Sequence, residues 1–279
     1  MLLQRVLTAA LGIPVIVALI VIGGALYTGA AAVILLLAAL EFYAVTDPEA
    51  QPAAAGGNRP APPLYRQRPP ALLGAATVAG LTVTADRGGD EWAGAFAAGI
   101  AVVFLYLVLR ADARVGLRDW VWAVSGVAYV GYLGSHLVFL RSLDQGADWV
   151  LVAVFGTFGA DTAAFFVGRA VGRVHIAPTI SPGKTLEGTL AGLAGGVASV
   201  IALKEAIGLD VAWRHVVPLS VLLPIAAVVG DLAESLVKRG AGVKDTSELI
   251  PGHGGFLDRI DAVLFTVPLV YYFVIWAVR

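Results

Sequence analysis

The sequence predicts an all-α, polytopic membrane protein of about nine spans with a cytoplasmic N-terminus. Three observations predict it. Of the 279 residues, 58% are hydrophobic and only 14% are charged, whereas soluble domains are roughly a quarter charged. The apolar runs approach ~20 residues, the length of a bilayer-crossing helix, and no short alternating segments of a membrane barrel are present. The basic residues, finally, divide unevenly between the connecting segments, as the positive-inside rule expects.

Met1 to Arg5 followed by the apolar Val6 to Ala25 has the outline of a signal peptide. The run is longer than the usual apolar region of such a peptide, and a second span follows at once, so it is read as a retained first helix. Spans are predicted at about 6–25, 28–45, 71–85, 92–109, 120–140, 149–168, 186–207, 216–238 and 262–278, the third being short. No stretch between them is long enough to fold alone, which makes 1–279 a single membrane domain. The segment 46–70 holds half of the 14 prolines and reads as an extended connector.

With this span count, fourteen of the 19 Lys and Arg fall on the side of Arg5; Arg87, Arg141, Lys204, Arg214 and Arg279 fall on the other. The split places the 169–185 and 239–261 loops on the cytoplasmic face of the inner membrane. The net charge of -1 gives no hint of a nucleic-acid partner, and none is expected. The absence of Cys excludes disulfides, thiolate nucleophiles and Cys-ligated metals.

Those two loops carry most of the chemistry. Between Glu234 and Asp261 stand Lys238, Arg239, Lys244 and Arg259, with Asp245, Asp258, Asp261, His253 and a glycine turn through Gly254 and Gly255. Charge beside a bilayer is expensive, and this mixture suits a metal-bound phosphate substrate at a membrane surface. Asp231, Glu234, Ser235 and Lys238 are spaced to share one helix face. Asp231 closes an apolar run, where a carboxylate needs a partner; a metal is the sharper reading, a wetted Asp beside a Glu234–Lys238 surface pair the plainer one. Asp258 and Asp261 open the last span one turn apart, where acidic residues also serve as ordinary dipole partners. Glycines let backbone N–H groups approach phosphate oxygens. His253 is open to three readings: phosphate donor, which we favour, metal ligand or turn residue.

Ser181-Pro-Gly-Lys184-Thr185 ends like a phosphate-binding P-loop, but Pro178 stands where that motif needs Gly, and an apolar span precedes it instead of a strand. Ser181, Lys184 and Thr185 still precede a helix, whose N-terminus is a good anion site. Asp161 sits inside the sixth span and is a functional candidate by default. His136, His175 and His215 stand alone and receive no role.

Ser235-Leu-Val-Lys238-Arg239, Lys244-Asp245, Pro251-Gly-His253-Gly-Gly255 and Asp258-Arg259-Ile-Asp261 together closely resemble the signature of the phosphatidate cytidylyltransferases. Upstream, Gly230-Asp231-Leu232, Ser181-Pro182 with Lys184-Thr185 and Glu187-Gly188, and Asp161-Thr162 with Gly168-Arg169 resemble further family elements, with Phe165 where Tyr is usual. The likeness covers about 160–261. Before that the chain matches only in character, with Glu41-Phe42-Tyr43 by the second span.

The resemblance implies transfer of a cytidylyl group from CTP to phosphatidate, a divalent metal (usually magnesium, as one ion or two) and a homodimer among membrane lipids. It implies Asp231 and Asp258 as metal carboxylates. Lys238, Arg239, Lys244 and Arg259 would screen charge; Asp245 and Asp261 would orient them or join the metal shell. Asp161, Ser181, Lys184, Thr185, Glu187, Ser235, Gly254 and Gly255 would bind substrate, and His253 would assist the chemistry. The competing classes are another CTP-dependent lipid enzyme, including a lipid kinase, and an ion-coupled transporter using Asp161 and Asp231.

Overall fold

Every regular element among the described residues is helical. Within a bilayer, backbone N–H and C=O groups must be satisfied inside their own segment, and a helix does this. The computed structural model describes residues 2–50, 62–64, 66–250 and 254–278, with residues 2–9 as backbone alone. In chain order the helices are α1 (Leu2–Ile22), α2 (Gly24–Thr46), α3 (Pro69–Ala85), α4 (Gly89–Arg110), α5 (Gly116–Gly126), α6 (Leu133–Arg141), α7 (Gly146–Val171), α8 (Leu186–Ile207), α9 (Trp213–Gly240), α10 (Leu257–Ile260) and α11 (Val263–Phe273). A π-helical segment, Val127–Tyr132, joins α5 to α6, and a second, Val274–Val278, continues α11.

Seven of these stretches, among the described residues, are long and apolar enough to cross a membrane, and Ala10–Ile22 and Pro69–Ala85 are shorter apolar helices. All nine predicted spans are therefore helical. The boundaries differ where glycine intervenes. Gly23 and Gly24 have φ of 70° and 57°, so the first helix stops at Ile22 and the second starts at once. The last span is interrupted: a turn at Asp261-Ala262 separates α10 from α11. Asp258 and Asp261 thus do not share one unbroken helix face, as their spacing predicts.

The chain forms two compact units. The first runs to Phe139 and includes Val237–Ile260. Its centre is α3, which packs on α2, α4, α5 and the π-helical segment. Tyr43 of α2 is the wedge. Its ring occupies the space that a Cβ on Gly74 or Gly126 would fill, its hydroxyl donates to Ala123 O at 2.6 Å, and it meets Trp122 edge-on at 5.4 Å. His136, which the sequence leaves without a role, is buried beside Trp92, Tyr132 and Phe139.

The ends of the connector are clamped by ions. Arg68, just before α3, pairs with Asp47 at 3.1 Å, Glu49 at 2.9 Å and the buried Asp119. Its guanidinium also lies 5.3 Å from the Trp122 ring centre. Burial disfavours the Arg68 charge, but the hydrogen bonds and charges of Asp119 and Asp47 outweigh it and hold its pKa above the usual value.

The second unit comprises Leu140–Leu236 and the chain from Asp261 onward. Here α7 and α8 pack closely because both present small residues every four positions. Gly188 faces Gly168, Gly192 faces Ala164 and Gly196 faces Ala160. Such faces let helix backbones approach in a membrane, where apolar side chains gain nothing over lipid. A buried Thr157–Thr266 hydrogen bond of 2.9 Å ties α7 to α11.

Candidate active site

Each unit holds one Lys–Asp pair built from residues the sequence singles out. In the second unit, the segment between α7 and α8 folds back on itself. Ile176 N donates to Lys184 O at 3.1 Å and Leu186 N to Val174 O at 2.7 Å. Thr185 is buried and caps α8, its Oγ1 accepting from Gly188 N at 3.2 Å. Glu187 Oε2 accepts from Arg173 N at 3.0 Å and Val174 N at 3.3 Å, so this carboxylate ties down its own loop. Ser181 O accepts from Lys184 N at 3.1 Å, closing the turn that presents the lysine.

Lys184 Nζ then reaches Asp231 Oδ2 on α9 at 2.6 Å, and Ser235 Oγ stands 3.4 Å from Asp231 Oδ1. The Asp231 side chain stays 35% exposed. Glu234 is buried, so it does not lie at the surface as the plainer reading expects. Asp161 is exposed on α7, as is Phe165. Asp261 lies at the break before α11 and accepts from Ala262 N at 2.7 Å.

In the first unit, Lys238 Nζ pairs with Asp258 Oδ1 at 2.9 Å. Asp258 is buried, and its Oδ2 accepts from Gly255 N at 2.8 Å, Thr246 N at 3.0 Å and Thr246 Oγ1 at 3.0 Å. Gly254 has φ of 79°, and a Cβ there would stand 2.7 Å from Asp258 Oδ2. The glycine turn therefore wraps the carboxylate closely. Gly255 N–H, predicted to face a phosphate, faces Asp258. Arg239 is exposed and donates to Val243 O at 3.2 Å; Lys244, Asp245 and Arg259 are exposed. His253 lies outside the described residues.

Three contributors carry no assignment from the sequence: Glu41, Thr246 and Ser247. Glu41, on α2, is fully buried. Its Oε1 accepts from Ser247 Oγ at 2.6 Å and Phe256 N at 3.0 Å; its Oε2 accepts from Leu257 N at 2.7 Å and lies 3.2 Å from Thr246 Oγ1. The available signal was a carboxylate inside an apolar run.

No group of three or more His, Asp or Glu side chains among the described residues gathers to cage a metal. Magnesium does not require one: it is commonly held by one or two carboxylates, with water and substrate phosphates completing its shell. Asp231, partly exposed, fits that role. Asp258 would offer Oδ1, which Lys238 holds at 2.9 Å, because Oδ2 already accepts three donors.

Residues 3–276 match the model of the Cytidylyltransferase family. A Synechocystis protein named phosphatidate cytidylyltransferase is 32% identical over 308 aligned positions, covering 98% of this chain and 96% of its own. A Brucella suis protein of the same name is 36% identical over 197 residues, 70% of each chain. A Bacillus subtilis protein of that name is 33% identical over 145 residues, 52% of this chain and 54% of its own. With a match that runs nearly end to end, the chain belongs to the cytidylyltransferase family and is a membrane-embedded nucleotidyltransferase.

Proposed function

We propose that the chain is a phosphatidate cytidylyltransferase of phospholipid biosynthesis, converting CTP and phosphatidate to CDP-diacylglycerol and pyrophosphate. The observation that carries this is 32% identity, over 98% of the chain, to the Synechocystis protein of that name. The Lys184–Asp231 and Lys238–Asp258 pairs support it, since they supply the cations and carboxylates that a polyanion transfer needs.

In the reaction a phosphate oxygen of phosphatidate attacks the α-phosphorus of CTP. A P–O bond forms there, the bond to the β-phosphate breaks, and pyrophosphate leaves with the electron pair. A phosphate monoester has a second pKa of about 6, so the nucleophile is largely ionised near neutral pH and requires no general base. The difficulty is bringing two polyanions together. Lys184, Lys238, Arg239, Lys244 and Arg259 act by screening this charge and stabilising the leaving pyrophosphate. Asp231 and Asp258 would each serve as a ligand for divalent metal, which when bound would neutralise phosphate charge. Ser181 and Thr185 present Lys184 to phosphate oxygens, and Ser235 orients Asp231.

The protein is placed in the cytoplasmic membrane with both loops facing the cytoplasm, on the strength of the basic-residue split. The expected assembly is a homodimer. The test is release of pyrophosphate and formation of CDP-diacylglycerol by purified protein given CTP, magnesium and phosphatidate. Isoprenoid phosphates and diacylglycerol serve as competing acceptors. Turnover with one of these in place of phosphatidate would refute the assignment.

A further inference from the structure

We propose that Glu41 is a positioning residue for cytidylyl transfer: from α2 it closes the neck of the loop that presents Asp258. The proposal rests on the reading of this chain as a phosphatidate cytidylyltransferase. A carboxylate offers about four acceptor sites, and Glu41 faces donors at all of them. Those donors fall into two groups. Thr246 and Ser247 lie beyond the end of α9 and before the glycine turn, and Phe256 and Leu257 lie after it, where the chain enters α10. One buried side chain thus holds both stems of the segment containing the glycine turn.

The same bonds set the aim of Asp258. Leu257, held by Glu41 through its backbone N–H, is the neighbour of Asp258 in the chain. Thr246 Oγ1 lies between the two carboxylates, 3.2 Å from Glu41 and 3.0 Å from Asp258. A hydroxyl has one proton, so Thr246 serves one carboxylate at a time, and its backbone N–H keeps Asp258 in place throughout. A Cβ on Gly255 would run into both Thr246 and Glu41, so this turn accepts only glycine while Glu41 is seated. Glu41 is fully buried and acts on the reaction through Asp258 and Lys238.

The decisive variant is Glu41→Gln. It keeps the volume but turns an amide NH2 toward either Leu257 N–H or Phe256 N–H. Misplacing a catalytic group by about 1 Å lowers turnover by about 10²-fold. The expected result is a fall in kcat of that order, with KM for CTP changed less than about threefold, since the loop is misaimed and not removed. Amides in 246–257 should exchange hydrogen at least about tenfold faster, while those of α7 and α8 stay as in the wild type. Ser247→Ala, which deletes one donor, should move both readouts the same way by less. Unchanged kcat in Glu41→Gln overturns the proposal. So does a loss of activity that merely follows the folded fraction, with exchange rising throughout the first unit. If Glu41→Gln does not fold, unchanged kcat and loop exchange in Ser247→Ala overturn it. Wild-type protein that makes no CDP-diacylglycerol refutes the assigned reaction, and loop exchange then decides the role of Glu41 by itself.

Discussion

Glu41 and Ser247, 206 residues apart in the chain, are joined by a buried hydrogen bond of 2.6 Å between Oε1 and Oγ. The bond ties the second helix to the loop that follows the ninth. It makes the N-terminal part of the chain, which carries none of the signature motifs, a contributor to the site. A buried carboxylate is tolerated only when its acceptors are satisfied, and the donors here all come from the segment richest in functional residues.

Asp231→Asn and Asp258→Asn should each lower turnover by about 10²–10³-fold, the scale of losing an electrostatic contact to a transition state. Asp231→Asn is the cleaner probe, because Asp258 also organises Thr246 and Gly255. The check is pyrophosphate release against magnesium concentration. Near-normal activity of Asp231→Asn at limiting magnesium would remove that residue from the metal site.

Lys184→Met should reduce kcat/KM for CTP by about 10²-fold or more. It deletes the cation held 2.6 Å from Asp231 and leaves that carboxylate with Ser235. Lys184→Arg should recover part of the loss, since the charge returns with different geometry. Steady-state kinetics at varied CTP decides the matter, and equal rates for all three proteins would place Lys184 outside the reaction.

The orientation predicts which positions an impermeant thiol reagent reaches in intact cells. Single cysteines at Leu3, Gly116 and Glu248 should stay unlabelled, whereas Asp86→Cys and Arg279→Cys should react. Labelling at position 248 from outside would reverse the topology and put the signature loop on the wrong face.

Deleting ten residues within 51–61 should leave cytidylyl transfer intact, because closure entropy varies only with the logarithm of loop length. The clamp at the connector's ends is a different matter. Arg68→Ala leaves the Asp119 side chain, only 3% exposed, without its main partner. Breaking such a pair costs about 3 kcal/mol. Thermal unfolding in detergent should separate the two: little change for the deletion, a clear fall for Arg68→Ala.

Gly192→Leu should weaken the α7–α8 contact. Even a Cβ there would lie 3.0 Å from the Ala164 methyl and 3.1 Å from Ala160 O, and overpacking of this kind costs about 1–3 kcal/mol. An unchanged unfolding temperature would mean that the two helices are free to separate.

The spans and the clustering of charge were legible in the sequence, because hydrophobicity accumulates along the chain and a helix satisfies its backbone locally. Local spacing also marked Asp231, Lys184, Lys238 and Asp258. It could not say that Asp231 takes Lys184, that Asp258 takes Lys238 and the Gly255 N–H, or that a turn parts Asp258 from Asp261. Glu41 is the sharpest case. The sequence shows a carboxylate in an apolar run, and only the folded chain brings Thr246, Ser247, Phe256 and Leu257 around it. Membrane insertion is determined by composition summed over one segment. The partner of a buried carboxylate depends on which distant segments approach it within ~3 Å, and that is settled only by tertiary packing.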